Sequence, residues 1–173
     1  MKKIIFILVI LITSGFTLVN RIDELIKKEI KSTFNIESYS IKNIKVSSEM
    51  NESLPLKITN ENLFKIIDNN KVLGYYYLGK AYGKADYFDF LVIFDADLIV
   101  SKVTVLVYRE DHGGEVGSKR WLKQFSGTPS NKTLVYQNDI VGISGATISV
   151  KSMTNEVNKL LKTVDILNTK NQL

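Results

Sequence analysis

Ser144-Gly145-Ala146-Thr147, followed by Ile148-Ser149, places two hydroxyls and a glycine at the head of an amphipathic segment. From Thr147 to Leu161, Ile148, Val150, Met153, Val157, Leu160 and Leu161 recur at helical spacing, so the turn opens a helix. Backbone N–H groups at a helix start lack partners within the helix. Together with the positive end of the dipole they suit a phosphate. Gly145 and Ala146 let a ligand approach the backbone closely, and the Thr147 hydroxyl can be esterified. Ser and Thr are also ordinary N-caps, so residue type alone leaves plain capping open.

Other chemistries find less support. The 173 residues include no cysteine, which removes disulfides, thiolate metal sites, Fe–S clusters and cysteine nucleophiles together. The single histidine, His112, stands in a glycine-rich loop, and zinc sites or catalytic triads need several convergent groups. A hydrolase using Ser144 as nucleophile therefore lacks an ordered base. Asp95 and Asp97 form a carboxylate pair on paper. Their place in the short turn Asp95-Ala96-Asp97 fits local hydrogen bonding better than acid/base work. Any redox role must then rest on an organic cofactor.

The turn and its helix resemble the flavinylation motif of the FMN-binding domain family, which includes the covalent-FMN subunits C of sodium-pumping NADH:quinone reductase and G of the ferredoxin:NAD oxidoreductase complex. The resemblance implies that Thr147 carries FMN through a phosphoester bond installed by a separate flavin transferase. A second segment, Tyr108-Arg109-Glu110-Asp111-His112-Gly113-Gly114-Glu115-Val116-Gly117, is similar to the family's glycine-rich flavin-contacting loop. The likeness runs from about Val72 to Leu161. Two positions depart from it: Val141 stands where the family motif usually has an acidic residue, with Asp139 two residues earlier, and Gly113-Gly114 replaces a proline common in the quinone-reductase branch.

These segments imply a cofactor site with three surfaces. Ser144, Gly145, Ala146 and Thr147 would meet the phosphate. Gly114, Glu115, Val116 and Gly117 would approach the ring, with Val116 packing on it, and Trp121 is a candidate lid. Lys119 and Arg120 would raise the flavin potential if near the ring, and do little as solvated helix charges.

The elements that must position this site read as an α+β fold: an antiparallel sheet meander with flanking helices, preceded by an N-terminal membrane or signal helix. Arg21 to Phe34 is helical through Ile22, Leu25, Ile26 and Ile30. Ser38 to Ser48 alternates weakly, Met50 to Pro55 is a polar connection, and Asn60 to Ile67 is of uncertain type. Lys71 to Tyr82, Tyr87 to Asp95 and Leu98 to Tyr108 are strands rich in Val, Ile, Phe and Tyr. Phe88, Phe90, Val92 and Phe94 share one face. On the next strand Val100, Lys102, Thr104 and Leu106 share one face, and Val103, Val105 and Val107 the other. A short helix from Gly117 to Phe125, stopped by Ser126-Gly127-Thr128-Pro129, and a strand from Thr133 to Tyr136 lead to the Ser144 turn.

Met1-Lys2-Lys3 before the apolar run Ile4 to Val19 has the pattern of a signal peptide or short anchor over residues 1–20, which leaves one domain from 21 to 173 outside the cytoplasm. The net charge of +5 is spread as mixed signs and gives little reason to bind nucleic acid. The expectation is an extracytoplasmic, membrane-associated electron carrier holding FMN, not itself an enzyme, partnered by a flavin transferase and membrane redox proteins. The alternative is a non-redox ligand-binding or accessory module of an envelope complex that kept the fold.

Overall fold

The computed structural model describes residues 21–173. The chain divides into two units, Met1–Glu37 and Ser38–Leu173. In the first, residues 21–34 form helix α1 with Ile26 and Ile30, one turn apart, buried. The expected signal or anchor segment from Ile4 to Val19 lies outside the described residues. Among the described residues, no helix is long and apolar enough to cross a membrane.

The second unit is built on five strands: β1 (Ser40–Asn43), β2 (Leu63–Asp68), β3 (Lys71–Tyr82), β4 (Tyr87–Asp95) and β5 (Val100–Val107). They pair antiparallel in the order β1-β2-β3-β4-β5, the meander expected from the sequence. β3 and β4 pair without interruption from Gly74↔Asp95 to Tyr82↔Tyr87. Long runs of aromatic and β-branched residues make this the strongest part of the sheet. At the far end of β4, Asp95 Oδ1 accepts from the backbone N–H groups of Asp97 and Ile99, so this aspartate builds the turn.

Two irregularities re-aim β5. The β4–β5 register shifts between Ile93 and Phe94, which places Val100 opposite Phe94, and again between Asp89 and Phe90. A bulge adds one residue to one strand and flips the face used by the residues beyond it. Val100 therefore joins Val103 in the core instead of sharing a face with Lys102 and Thr104.

Helix α4 (Thr147–Thr169) lies along β3 and closes this core through Val150, Met153, Val157, Leu160, Leu161, Val164 and Leu167, all essentially inaccessible. It outruns the expected end at Leu161 because the apolar spacing continues through Val164 and Leu167. Facing it are Tyr77, Phe88, Phe90, Val92 and Phe94. Each fully buried side chain of this size contributes about 1.5–3 kcal/mol, so the helix is firmly seated.

Three local expectations change. Helix α2 (Ser48–Ser53) runs into the residues read as a polar connection, Met50 to Pro55, and is started by the Ser47 hydroxyl accepting from Met50 N–H. In place of one helix from Gly117 to Phe125 stand a 3-10 turn that ends at Gly117 (Gly114–Gly117), a single helical turn α3 (Lys119–Leu122) and a second 3-10 turn (Lys123–Phe125). Thr133 to Tyr136 is not a strand. The Leu134 backbone pairs with the side chain of Asn158 on α4, whose Oδ1 accepts from Leu134 N–H at 2.8 Å and whose Nδ2 donates to Leu134 O at 2.9 Å.

Candidate functional site

The first turn of α4 leaves its hydroxyls free of capping duty. The N-cap is Ala146, with no side-chain cap bond, and the first helical hydrogen bond runs from Val150 N–H to Ala146 O at 3.0 Å. The N–H groups of Thr147, Ile148 and Ser149 thus precede the helical ladder. Ser144, Gly145 and Thr147 are exposed. Gly145 has φ +80°, in the left-handed region that favours glycine, and a Cβ there would meet nothing within 4 Å. The result is an open surface of donors and hydroxyls at the positive end of a 23-residue helix.

The glycine-rich loop reaches this surface at Gly113. A Cβ on Gly113 would lie 3.3 Å from Ala146 Cβ and 2.8 Å from the Tyr108 hydroxyl, so the loop backbone rests against the residue before Thr147. Gly113 is also left-handed, at φ +79°. The Tyr108 hydroxyl donates to His112 O at 2.8 Å, and its ring lies 5.5 Å from that of Phe88. Gly114 and Glu115 are exposed beside this contact.

Val116, Gly117 and Trp121 have other places. Val116 is fully buried in the core, so its side chain has no face to offer a ring. Gly117 turns its bare Cα toward Val105, where a Cβ would sit at 3.6 Å. Trp121 is only 6% exposed and edge-on to Phe125 at 5.3 Å. It acts through its indole N–H, which donates to Val141 O at 2.8 Å. Gln124 Oε1 accepts from Val141 N–H, also at 2.8 Å, so the Val141 peptide is gripped from both sides while its side chain is 65% exposed. Trp121 is therefore a core residue that fixes the approach to the Ser144 turn and not a lid. Lys119 and Arg120 are exposed, as solvated helix charges would be.

Asp139 does not stand in for an acid at position 141. Its carboxylate accepts from Val135 N–H and pairs with Lys132 at 2.8 Å, and the lysine bond above all holds the carboxyl below its usual range. Glu110, next to the glycine-rich loop, is likewise held low. Its Oε1 accepts from Ala85 N–H at 2.8 Å and Asp86 N–H at 3.0 Å. Sequence reading placed the loop but not Gly113 as the contact point, nor Tyr108 as its support. The signal was the tyrosine five residues ahead of the first of the paired glycines, whose hydroxyl fills the space a side chain on Gly113 would take.

Residues 83–162 match the family model described as FMN-binding domain. The match opens in the β3–β4 turn and runs into α4, so it covers Gly113 and Thr147 alike. No curated protein matches the chain. The geometry fits the mononucleotide that the match supports: uncapped N–H groups for a phosphate, clear space above Gly145, and an exposed hydroxyl two residues on, at Thr147.

Proposed function

We propose that this chain, an FMN-binding domain over residues 83–162, carries FMN through a phosphoester to Thr147 and serves as an electron carrier outside the cytoplasm. One observation carries the reading: the Gly113 backbone rests against Ala146, which joins the two flavin-associated segments at the residue before Thr147.

Each residue has a task in this reading. The N–H groups of the first α4 turn neutralise phosphate charge, and Gly145 keeps the approach clear. Thr147 would supply the oxygen of the ester: its Oγ1 bonds to the flavin's phosphorus as a separate flavin transferase breaks that phosphorus's bond to the leaving group of an activated flavin donor, which departs with the hydroxyl proton. Gly114 and Glu115 offer an exposed edge to the ring, while Trp121 and Gln124 hold Val141, and with it the entry to the turn, in place. When bound, FMN supplies one- and two-electron transfer. A covalent link suits a carrier beyond the cytoplasmic flavin pool, and the basic start with its apolar run supports export and membrane association. Its donor and acceptor would be membrane redox proteins.

The test is the intact mass of protein purified from its own envelope, or after coexpression with an exported flavin transferase. Wild type is expected to carry one FMN that survives denaturation, and Thr147→Ala none. An unflavinylated wild type, or a flavin mapped to another residue, would overturn the proposal.

A further inference from the structure

We infer that Glu110 is a positioning residue for the Thr147 site, fastening the glycine-rich loop to the β3–β4 turn so that Gly113 stays seated on Ala146. The inference rests on the functional reading above for its consequence to flavin, and on geometry alone for the clamp.

The β3–β4 turn is closed by Gly83 N–H donating to Asp86 O at 2.8 Å. Two further N–H groups of this turn, from Ala85 and Asp86, converge on one oxygen of Glu110. Successive turn N–H groups make an anion-binding concavity, and bonds to an ionised acceptor are roughly twice as strong as neutral ones. The fit is close: the Glu110 carboxyl group occupies the place a Cβ on Gly83 would take, with its Cδ 2.8 Å away. Only glycine at position 83 leaves the carboxylate this seat.

Neighbouring residues fasten the same stretch. Arg109 donates to Tyr87 O at 2.8 Å and pairs with the Asp89 carboxylate, both on β4. Tyr108 bonds to His112 O and leaves no room for a side chain on Gly113. Only Asp111 and His112 separate Glu110 from Gly113, a reach of at most about 10 Å over three steps, so movement at the carboxylate is passed to the loop with little slack. At the α4 start the loop meets Ala146, the residue before Thr147.

The test uses the full chain with Glu110→Ala, Glu110→Gln and Gly83→Ala, the last evicting the carboxylate without altering it. Amide hydrogen exchange is read at Val116 and Ala146, whose N–H groups bond to Gly113 O and Ile143 O, against the β4 amides as reference. In Glu110→Ala and Gly83→Ala, exchange at Val116 and Ala146 is expected to rise at least tenfold with β4 unchanged. Glu110→Gln, which keeps an acceptor oxygen, should fall between. Flavin attachment to Thr147 is expected to slow at least fivefold in the first two variants and to be rescued in part by glutamine. Exchange that stays at the wild-type level, or rises only in step with β4, would overturn the clamp, and unchanged flavin attachment and spectrum in both variants would overturn its positioning role at Thr147. A wild type that takes up no FMN would overturn the functional reading instead, and the exchange measurements decide the clamp independently of it.

Discussion

Gly113, Gly127 and Gly145 share one backbone conformation, φ +79° to +80°, and differ in what surrounds them. A methyl group at Gly127 or Gly145 would meet nothing within 4 Å, whereas at Gly113 it would come within 2.8 Å of the Tyr108 hydroxyl. The three alanine variants therefore separate strain from contact. Left-handed backbone costs a non-glycine residue about 1–2 kcal/mol, partly offset by the stiffer unfolded chain, which leaves about 1 kcal/mol at Gly127 and Gly145. Gly113→Ala must also displace the Tyr108 hydroxyl from His112 O, about 1 kcal/mol more, for a total of about 2 kcal/mol. In a chain of this size that is a fall in Tm of about 4–8 °C, against about 2–4 °C for the other two. Thermal and urea unfolding of the three variants measures the difference directly. If Gly113→Ala costs no more than Gly127→Ala, the loop does not rest on Tyr108 and Ala146, and the geometric basis of the site falls. Gly145→Ala should also invert the order of effects, costing less stability than Gly113→Ala while hindering flavin attachment more, because its methyl enters the space assigned to the phosphate.

Two further outcomes test the scaffold. Asn158→Ala removes both hydrogen bonds to the buried Leu134 peptide and is expected to cost about 2 kcal/mol in urea unfolding; a cost under about 0.5 kcal/mol would show that water replaces the side chain there. The Tyr77 hydroxyl is pushed up to about 12, by burial first and by the Glu156 charge second. A folded pKa above the unfolded value means that stability holds below about pH 10 and drains away as pH rises toward 12, by roughly 2–3 kcal/mol in all. Unfolding across that range should therefore steepen in wild type and flatten in Tyr77→Phe, and equal slopes would refute the assignment.

The sheet was legible where the chain is buried on both faces. β3 and β4 begin and end where the aromatic and β-branched runs do, because Tyr75 to Tyr77 and Phe88 to Phe94 leave almost no polar residue to blur the limits. The bulges were not legible, since a one-residue slip changes which face Val100 uses without changing composition. α2 escaped notice for a different reason: none of its six residues is buried, so no apolar period marks it, and its one signal is the Ser47 cap. Thr133 to Tyr136 has strand-like residues, but its backbone partner is an asparagine distant in sequence, which no local pattern reveals. At the site, the threonine turn was readable from its own residues. The burial of Val116 and Trp121 was not, because an apolar side chain beside a glycine loop can face a ligand or the core, and only the packing of β5 and α4 decides between them.

Position 141 shows how a residue can change without loss of stability. The Val141 peptide is held by Trp121 and Gln124 through its main-chain atoms, which any residue but proline possesses in full. Its side chain projects into water, where exchanges usually fall within about 0.5 kcal/mol. Valine and an acid are thus nearly interchangeable as far as folding is concerned. The side chain at this position is then felt only by whatever meets the surface from outside, and a substitution there can retune that encounter while the architecture beneath stays as it is.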